Sequence, residues 1–203
     1  MARGDLGAMM TPGQGNRLPP FARWGADNGV YAGKFPGVER WLAWLVRILG
    51  QAPDAPARAL FAVAPDVLHR LPDGTVIGDA AATLEQSAPV LPRIRELGIP
   101  AALVAQDGLE ALTVPWDAFD VLFLGGSTAW KLGPASQALT RQALARGKRV
   151  HMGRVSSLKR WSHAHHRGIH TCDGTFISKA PDRRLPEALG WRTQQALFTE
   201  ETA

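Results

Sequence analysis

The sequence predicts an α/β fold in one domain that spans residues 1–203. Short apolar runs alternate along the chain with stretches of helical periodicity, which is typical of parallel strands joined by crossover helices. Most of these runs are apolar at every position, as strands are when both faces of a sheet are covered. With 45% hydrophobic and 20% charged residues, the composition is that of a globular core, and 203 residues are few for two domains.

Seven apolar runs are predicted to be strands. In chain order they are "LGAMMTP", "WGADNG", "LFAVAPDV", "AALVAQDG", "VLFLGGS", "RVHMGRV" and "IHTCDGT". Helices are predicted in "PGVERWLAWLVRILG", "AAATLEQSAPVLPRIRELG", "PASQALTRQALARG" and "SSLKRWSHAHHRG". The first of these helices places apolar residues at helical spacing, and we interpret its tryptophans as core residues: Val38, Trp41, Leu42, Trp44, Leu45 and Ile48. The segment "LPDGTVIGD" is predicted to be an irregular excursion after the third strand.

Each predicted strand ends in a polar residue or in glycine. These residues are Thr11, Asp27, Asp66, Gln106, Gly125 with Gly126, Arg154 and Asp173. In a (β/α) barrel the active site lies at the carboxyl ends of the strands, so these residues would meet at one mouth. An open doubly wound sheet would instead bind its ligand at one switch point and leave several of them without a purpose. We therefore expect a barrel of the TIM type, either minimal or irregularly closed.

The net charge of +5 and the pI near 10 favour a polyanionic partner, because Lys and Arg release counterions when they bind phosphates. The apolar runs are far shorter than the roughly 20 residues that span a bilayer, so we expect no membrane association. The first residues show no apolar segment with a cleavage site, so a cytoplasmic protein is expected. The single cysteine, Cys172, excludes an internal disulfide and predicts a reduced, buried thiol.

Residues 147–182, "GKRVHMGRVSSLKRWSHAHHRGIHTCDGTFISKAPD", resemble the guanine transglycosylase family. That family includes tRNA-guanine transglycosylase and the phage and bacterial enzymes that place 7-deazaguanines in DNA. Its members carry a strand of the form R-Y-L-M-G, a helix, and then R-G-I-D-x-F-D-C-x-x-P-T-R; "RVHMG" and "RGIHTCDGT" correspond to the two ends. Upstream, "ADNG" resembles D-S-G-G, "VAQDG" resembles V-Q-G-G, and "FLGGSTAWK" resembles I-G-G-L-A-V-G-E, in the same order.

The resemblance covers most of residues 24–182 and implies roles for individual residues. Asp173 would be the nucleophile that attacks C1′ of the sugar, and Asp27 the second carboxylate near it. Asp66 would hold N1 and the exocyclic amine of a guanine-type base, while Gln106 and the Gly126 amide would face its O6. This assignment is chemically consistent, since a carboxylate accepts two hydrogen bonds from that edge and amides donate to the carbonyl. Further substrate contacts are implied for Gly125, Met152 and Gly153.

A basic rim is the second part of the expected site. Lys179, Arg183 and Arg184 follow Asp173 in the chain, and Arg154 ends the preceding strand, so all four are candidates for phosphate contacts. The chain is shorter than is usual in the family, lacks its Cys/His zinc subdomain, and has "TFISKAPD" in place of P-T-R. DNA is therefore expected as the partner rather than tRNA, with a purine or 7-deazapurine base as the small substrate. No metal and no cofactor are expected, and a homodimer is expected by analogy alone.

Each of these residues also has a purely structural interpretation. Asp-Asn-Gly at Asp27 is a strong turn signal, Asp66 after a proline caps turns, and Gln106 is an ordinary loop residue. The Gly-Gly pair is weak evidence for a phosphate cradle, and the basic run could be a solvated surface. His163 and His166 neighbour each other on one helix face, but without matching carboxylates we interpret them as surface or packing residues.

The sequence thus favours a base-exchanging or base-excising enzyme, a glycosyltransferase that acts on a guanine-type nucleotide, in DNA rather than tRNA, through Asp173. Two alternatives stay open. One is a catalytically silent barrel that binds nucleic acid or a modified nucleobase in a DNA-modification pathway. The other is a metabolic enzyme that acts on a free nucleoside or sugar phosphate.

Overall fold

The structure, a computed structural model, describes residues 6–15 and 17–199, with side chains as far as residue 191. The strands are β1 (Ala8–Met10), β2 (Trp24–Ala26), β3 (Ala59–Val63), β4 (Leu68–Arg70), β5 (Val76–Gly78), β6 (Ala101–Ala105), β7 (Val121–Leu124), β8 (Arg149–Met152) and β9 (Thr171–Cys172). The helices are α1 (Val38–Leu49), α2 (Ala55–Arg58), α3 (Ala80–Ser87), α4 (Leu91–Glu96), α5 (Thr128–Leu132), α6 (Pro134–Ala145), α7 (Leu158–His166) and α8 (Pro181–Thr199).

Seven strands form one parallel sheet in the order β1-β2-β3-β6-β7-β8-β9, which curls into a half-barrel. Apart from the β4–β5 pair, each strand lies beside the next strand of the chain. Helical segments separate most neighbours, as crossover connections between parallel strands require. The predicted α/β class and the parallel strands are confirmed at this level.

The two faces of the sheet are covered differently. Alternate side chains of the strands, such as Ala62 and Leu103, pack against the helices in the larger hydrophobic cluster. The intervening side chains, such as Phe61 and Val104, form a smaller cluster inside the curl of the sheet. The period of two in each strand therefore sends half of its residues to the helix-covered face and half to the interior. In α1 the predicted apolar stripe is buried at Trp41, Leu42, Leu45 and Ile48.

The helix and turn predictions need three corrections. The excursion at residues 71–79 is largely an antiparallel hairpin, in which β4 and β5 pair around the turn at Asp73 and Gly74. The single helix predicted at residues 80–98 is split into α3 and α4, because the chain turns after Ser87 and a proline begins the second helix. The long helix α8 is absent from the sequence-based expectation. No helix in the described part of the chain is long and apolar enough to cross a membrane.

The last strand also differs from the expectation. A buried strand with a buried thiol is expected there, but β9 has two residues and pairs with β8 alone. Cys172 is exposed. Strand β9 lies at the edge of the sheet and has no further strand beside it. The side chain of Cys172, next to Asp173, therefore stays open to solvent.

Candidate active site at the carboxyl edge of the sheet

The polar strand-end residues lie at one edge of the sheet, because parallel strands all end at the same edge. The six strands that they follow are β2, β3, β6, β7, β8 and β9. Backbone hydrogen bonds continue the strand pairing to these positions. The Asp27 amide donates to Met10 O at 2.8 Å, and the Asp173 amide donates to Met152 O at 3.2 Å. Both carboxylates are therefore fixed by the last bond of a strand pair rather than carried on a free loop.

Asp66 follows β3 and is held by two side-chain amides. Asn28 Nδ2 donates to Asp66 Oδ1 and Gln106 Nε2 donates to Asp66 Oδ2, each at 2.9 Å. Burial raises the pKa of Asp66, and the hydrogen bonds from Asn28 and Gln106 oppose that rise. The two donors thus orient the carboxylate while part of its hydrogen-bonding capacity stays free for a ligand.

Gln106 makes hydrogen bonds within the protein through both ends of its side-chain amide. Its side chain is buried, donates to Asp66, and accepts a hydrogen bond from Thr83 Oγ1 at 3.1 Å. Gly78, at the end of the hairpin, lies against the same amide, and a Cβ at that position would fall 2.5 Å from Gln106 Oε1. Gln106 was expected to face the base O6, but here it orients Asp66.

Asp27 follows β2 and is hydrogen-bonded on both its side chain and its backbone. Its Oδ1 accepts from the Gly29 amide at 3.3 Å, and its carbonyl accepts from Trp41 Nε1 at 3.2 Å. Burial raises the pKa of Asp27; the Gly29 amide opposes this, and the negative charge of Asp173 adds to it. The charge of Asp27 in turn contributes to the raised pKa of Asp66. The negative charge of Asp173 therefore acts on Asp27, and that of Asp27 acts on Asp66, along this edge.

Asp173 is paired with a buried histidine inside the curl of the sheet. Asp173 Oδ1 lies 2.9 Å from His151 Nε2, and His151 Nδ1 lies 2.8 Å from Thr171 Oγ1. The side chain of His151 is 3% exposed and that of Asp173 is 31% exposed. The imidazole stacks on Phe123 at 4.7 Å between ring centroids. Asp173 thus connects a buried polar group with the solvent at the edge.

The Gly125–Gly126 pair makes close backbone contacts. Both amides donate to Ala105 O, at 2.9 and 3.1 Å, so the Gly126 amide that was expected to face a base is already bonded. A Cβ on Gly126 would fall 2.5 Å from Asp107 Oδ1, and one on Gly125 would fall 2.6 Å from Val104 Cγ1. Glycine is needed here because the Ser127 turn is drawn against Asp107, which accepts hydrogen bonds from the Ser127 amide and hydroxyl, each at 2.6 Å.

Lys131 is buried beside this edge, with 2% of its surface exposed. Its Nζ donates to Gly153 O at 2.5 Å, immediately before Arg154. Burial lowers the pKa of Lys131 to about 7, and the positive charge of Arg154 acts in the same direction while Asp173 opposes it. A lysine with a pKa near neutrality can be charged or neutral under ordinary conditions, which is unusual for this side chain.

Arg154 binds the end of the neighbouring strand, β7. Its Nη2 donates to the carbonyls of Gly125 and Gly126, at 2.7 and 2.5 Å, and its guanidinium stacks on the Tyr31 ring at 4.7 Å. Its backbone φ is +60°, a conformation that costs energy for a residue other than glycine. Arg154 follows β8 at the carboxyl edge, and part of its guanidinium joins the ends of β7 and β8.

The other residues expected to contact the substrate or its phosphates lie in different surroundings. The Met152 side chain is 1% exposed and belongs to the helix-covered cluster, so it points away from the edge. Gly153 lies against Phe123 and against Asp173 Oδ1, where a Cβ would be 3.4 Å from that oxygen. Lys179 and Arg183 are exposed near the start of α8, whereas Arg184 stacks on the Phe176 ring at 4.7 Å.

Sequence reasoning missed four members of this group: His151, Lys131, Thr171 and Asn28. A weak signal was present for His151, since it is a polar residue between two apolar ones, Val150 and Met152, in β8. Its register partner across the strand pair is Thr171. Among the described residues, no set of three His, Cys, Asp or Glu side chains is placed to hold a metal ion.

A surface depression lined by Arg95, Asp120 and Arg149 lies at the opposite, amino-terminal edge of the sheet. None of the three carboxylates at the carboxyl edge lines it. The candidate site is therefore defined by its side-chain chemistry rather than by the depth of a cavity.

Comparisons with known proteins add little to this geometry. No family model matches the sequence, and no curated protein matches it. One similar solved structure is Klebsiella pneumoniae BlrP1 in a complex with calcium and cy-diGMP at pH 8.0. The similarity has a TM-score of 0.42 with 16% sequence identity, and it covers 76% of this chain and 38% of that chain. This chain thus spans well under half the length of that protein, and at this TM-score the likeness supports no functional argument.

Proposed function

We propose that the protein is a guanine transglycosylase-like enzyme that exchanges or excises a guanine-type base in nucleic acid, with DNA rather than tRNA as its substrate. The observation that carries the proposal is the position of Asp27 and Asp173. They follow different strands, β2 and β9, yet lie at one edge, where the negative charge of Asp173 contributes to the raised pKa of Asp27. A pair of carboxylates at a glycosidic bond can supply a nucleophile and a group that transfers protons.

The reaction is a double displacement. A carboxylate oxygen of Asp173 attacks C1′ of the nucleotide, and the glycosidic bond breaks with its electron pair leaving on the base. The base takes up a proton, and Asp27 is suited to supply it because burial raises the pKa of its carboxyl. An incoming base or a water then attacks C1′ and releases the Asp173 carboxylate, while Asp27 accepts the proton of the incoming group.

Asp66 supports a guanine-like substrate. Its carboxylate is oriented by two amide donors and can accept hydrogen bonds from N1–H and the exocyclic amine of guanine. In this proposal the role of Gln106 is to hold Asp66 rather than to contact O6 of the base. We further propose that the curled sheet is a reduced, irregularly closed (β/α) barrel; strands in chain order, with helices on one face and a second cluster inside, support that architecture.

The test is base exchange with the Asp173→Asn variant. Wild-type protein, DNA and isotope-labelled guanine or 7-deazaguanine are incubated, and the nucleosides of the recovered DNA are measured by mass spectrometry. The wild type should incorporate label or release base, and intact-protein mass spectrometry should show a sugar adduct that survives denaturation. Asp173→Asn keeps the shape of the side chain but is a poor nucleophile, so it should fold and show neither signal.

The matched control is Asp182→Asn, which removes an exposed carboxylate at the start of α8. It should retain wild-type turnover. If Asp173→Asn keeps wild-type turnover, the nucleophile is misassigned. If the wild type binds DNA but never exchanges or releases a base, the silent, nucleic-acid-binding alternative replaces the enzyme.

A further inference from the structure

The polar chain from Thr171 through His151 to Asp173 crosses the interior of the sheet. Thr171 and His151 lie opposite each other in the β8–β9 pair, so their side chains share the interior face. The imidazole packs against both Phe61 and Phe123, whose ring centroids each lie 4.7 Å from its own. A polar ring in such surroundings needs partners for both nitrogens, and Thr171 and Asp173 provide them.

The chemistry of the three groups gives this chain a direction. An ionised carboxylate can only accept, so Nε2 of His151 must carry the hydrogen that lies between it and Asp173. In the neutral ring Nδ1 is then an acceptor, and the hydroxyl of Thr171 donates to it. Asp173 therefore selects the tautomer of His151 that donates to it, and the hydroxyl of Thr171, which can donate or accept, satisfies Nδ1.

The two oxygens of Asp173 are in different surroundings. Oδ1 receives His151 Nε2 and lies against Gly153, where even a methyl group would be in van der Waals contact with it. Within the described residues, Oδ2 has no hydrogen-bond partner, and the side chain keeps 31% of its surface exposed. One oxygen is thus held inside the curl of the sheet while the other is left toward the mouth.

We propose that His151 is a positioning residue that holds Oδ1 of Asp173, so that Oδ2 is the oxygen that bonds to the sugar carbon. The inference rests on the proposed function for its chemical step. When Oδ2 forms the bond to C1′ and the glycosidic bond breaks, Oδ1 becomes the carbonyl oxygen of the ester and keeps the hydrogen bond from Nε2–H. When the second nucleophile attacks C1′, the electron pair of the C1′–Oδ2 bond returns to the carboxylate, and the same hydrogen bond stabilises the charge that forms.

Four variants test the contact. His151→Phe keeps an aromatic ring against Phe61 and Phe123 but has no donor, whereas His151→Gln can place an amide N–H near the position of Nε2. Thr171→Val removes the hydroxyl that is the partner of Nδ1, and Thr171→Ser is its control. His151→Phe should lower kcat by on the order of 100-fold with little change in KM. The reason is that a misplaced Asp173 carboxylate slows the chemical step rather than substrate binding. His151→Gln should recover much of the activity that His151→Phe loses. Thr171→Ser should likewise keep much of the wild-type activity, and Thr171→Val should show a smaller fall in kcat than His151→Phe.

A spectroscopic measurement decides the assignment without any turnover. In ¹⁵N-histidine-labelled wild-type protein at alkaline pH, the ring nitrogens of His151 should show the neutral Nε2–H tautomer, and Asp173→Leu, which removes the acceptor of Nε2–H, should weaken that preference. An Nδ1–H tautomer in the wild type, or equal kcat in the Phe and Gln variants of an active enzyme, would overturn the proposal. A wild type without base exchange would refute the proposed function, and the tautomer would then decide the contact alone.

Discussion

Replacement of buried Lys131 by methionine should flatten the pH dependence of stability above neutral pH. Burial lowers the pKa of Lys131 from 10.5 to about 7 in the folded protein. Between these two values the unfolded chain binds a proton that the folded protein does not. Stability contributed by this group therefore rises as pH increases from 7 toward 10.5. A methionine side chain cannot titrate, so the variant should lack that rise.

The expected size follows from the two pKa values. Each pH unit over which the unfolded chain is protonated and the folded protein is not contributes about 1.4 kcal/mol. Because Lys131 is still half protonated in the folded protein at pH 7, the gain between pH 7 and pH 9 comes to about 2 kcal/mol. Lys131→Met also leaves Gly153 O without its donor, but that change shifts the whole profile and does not alter its slope.

The assay is chemical denaturation of the wild type and the variant at several pH values from about 6 to about 10, a range that brackets the folded pKa. The free energy of unfolding of the wild type, minus that of Lys131→Met, should rise by about 2 kcal/mol between pH 7 and pH 9. Lys34→Met, at an exposed position, is the matched control and should follow the wild-type profile. Parallel profiles for the wild type and Lys131→Met would show that Lys131 stays charged, and would refute the reasoning from burial.

Two further predictions concern ligands. Asp66→Asn should weaken binding of free guanine by about 10- to 100-fold in calorimetry, because the hydrogen bonds from guanine to a carboxylate are removed. Hypoxanthine lacks the exocyclic amine, so it should bind the wild type more weakly than guanine does. Equal affinities of the wild type for the two bases would contradict the role of Asp66. The Lys179→Ala/Arg183→Ala variant should reduce the slope of log affinity for DNA against log salt by about 0.7 to 0.9 for each phosphate that no longer has a cationic partner. Arg184 is left intact because it packs on an aromatic ring, and Arg40→Ala on α1 serves as the charge control. An equal slope in the wild type, the double variant and Arg40→Ala would place the DNA elsewhere.

The parallel sheet was predictable because its strands are apolar on both faces, and the edge that carries Asp27, Asp66 and Asp173 followed from the polar residue after each run. The hairpin at residues 68–78 was missed, although Asp73–Gly74 followed by β-branched residues is a turn signal for one. The extent of β9 could not be read from "IHTC", since its pairing depends on β8 and not on its own composition.

The contacts of the site were much less predictable than its location. His151 needs Thr171 and Asp173, which lie 20 and 22 residues further along the chain, and a single strand does not show which residue will lie opposite. Lys131 is buried because the short helix α5 packs over Gly153 O, 22 residues further along the chain. Gly126 illustrates the opposite error, since the motif suggested a free amide while the tight Asp107–Ser127 turn is what requires glycine.

The shortness of β9 affects how the candidate site can be disabled. The proposed nucleophile ends a two-residue strand at the border of the sheet. Backbone hydrogen bonds that tie the surrounding segment to the rest of the protein include His170 N to Val150 O, Asp173 N to Met152 O, Val155 N to Asp173 O, and Ile169 N to Ala164 O. Opening this segment would break few contacts of the helix-covered core, and local unfolding of an edge costs less free energy than global unfolding. The integrity of the carboxylate pair and the stability of the fold are therefore separate quantities in this protein, and a site with Asp173 displaced can coexist with an intact sheet.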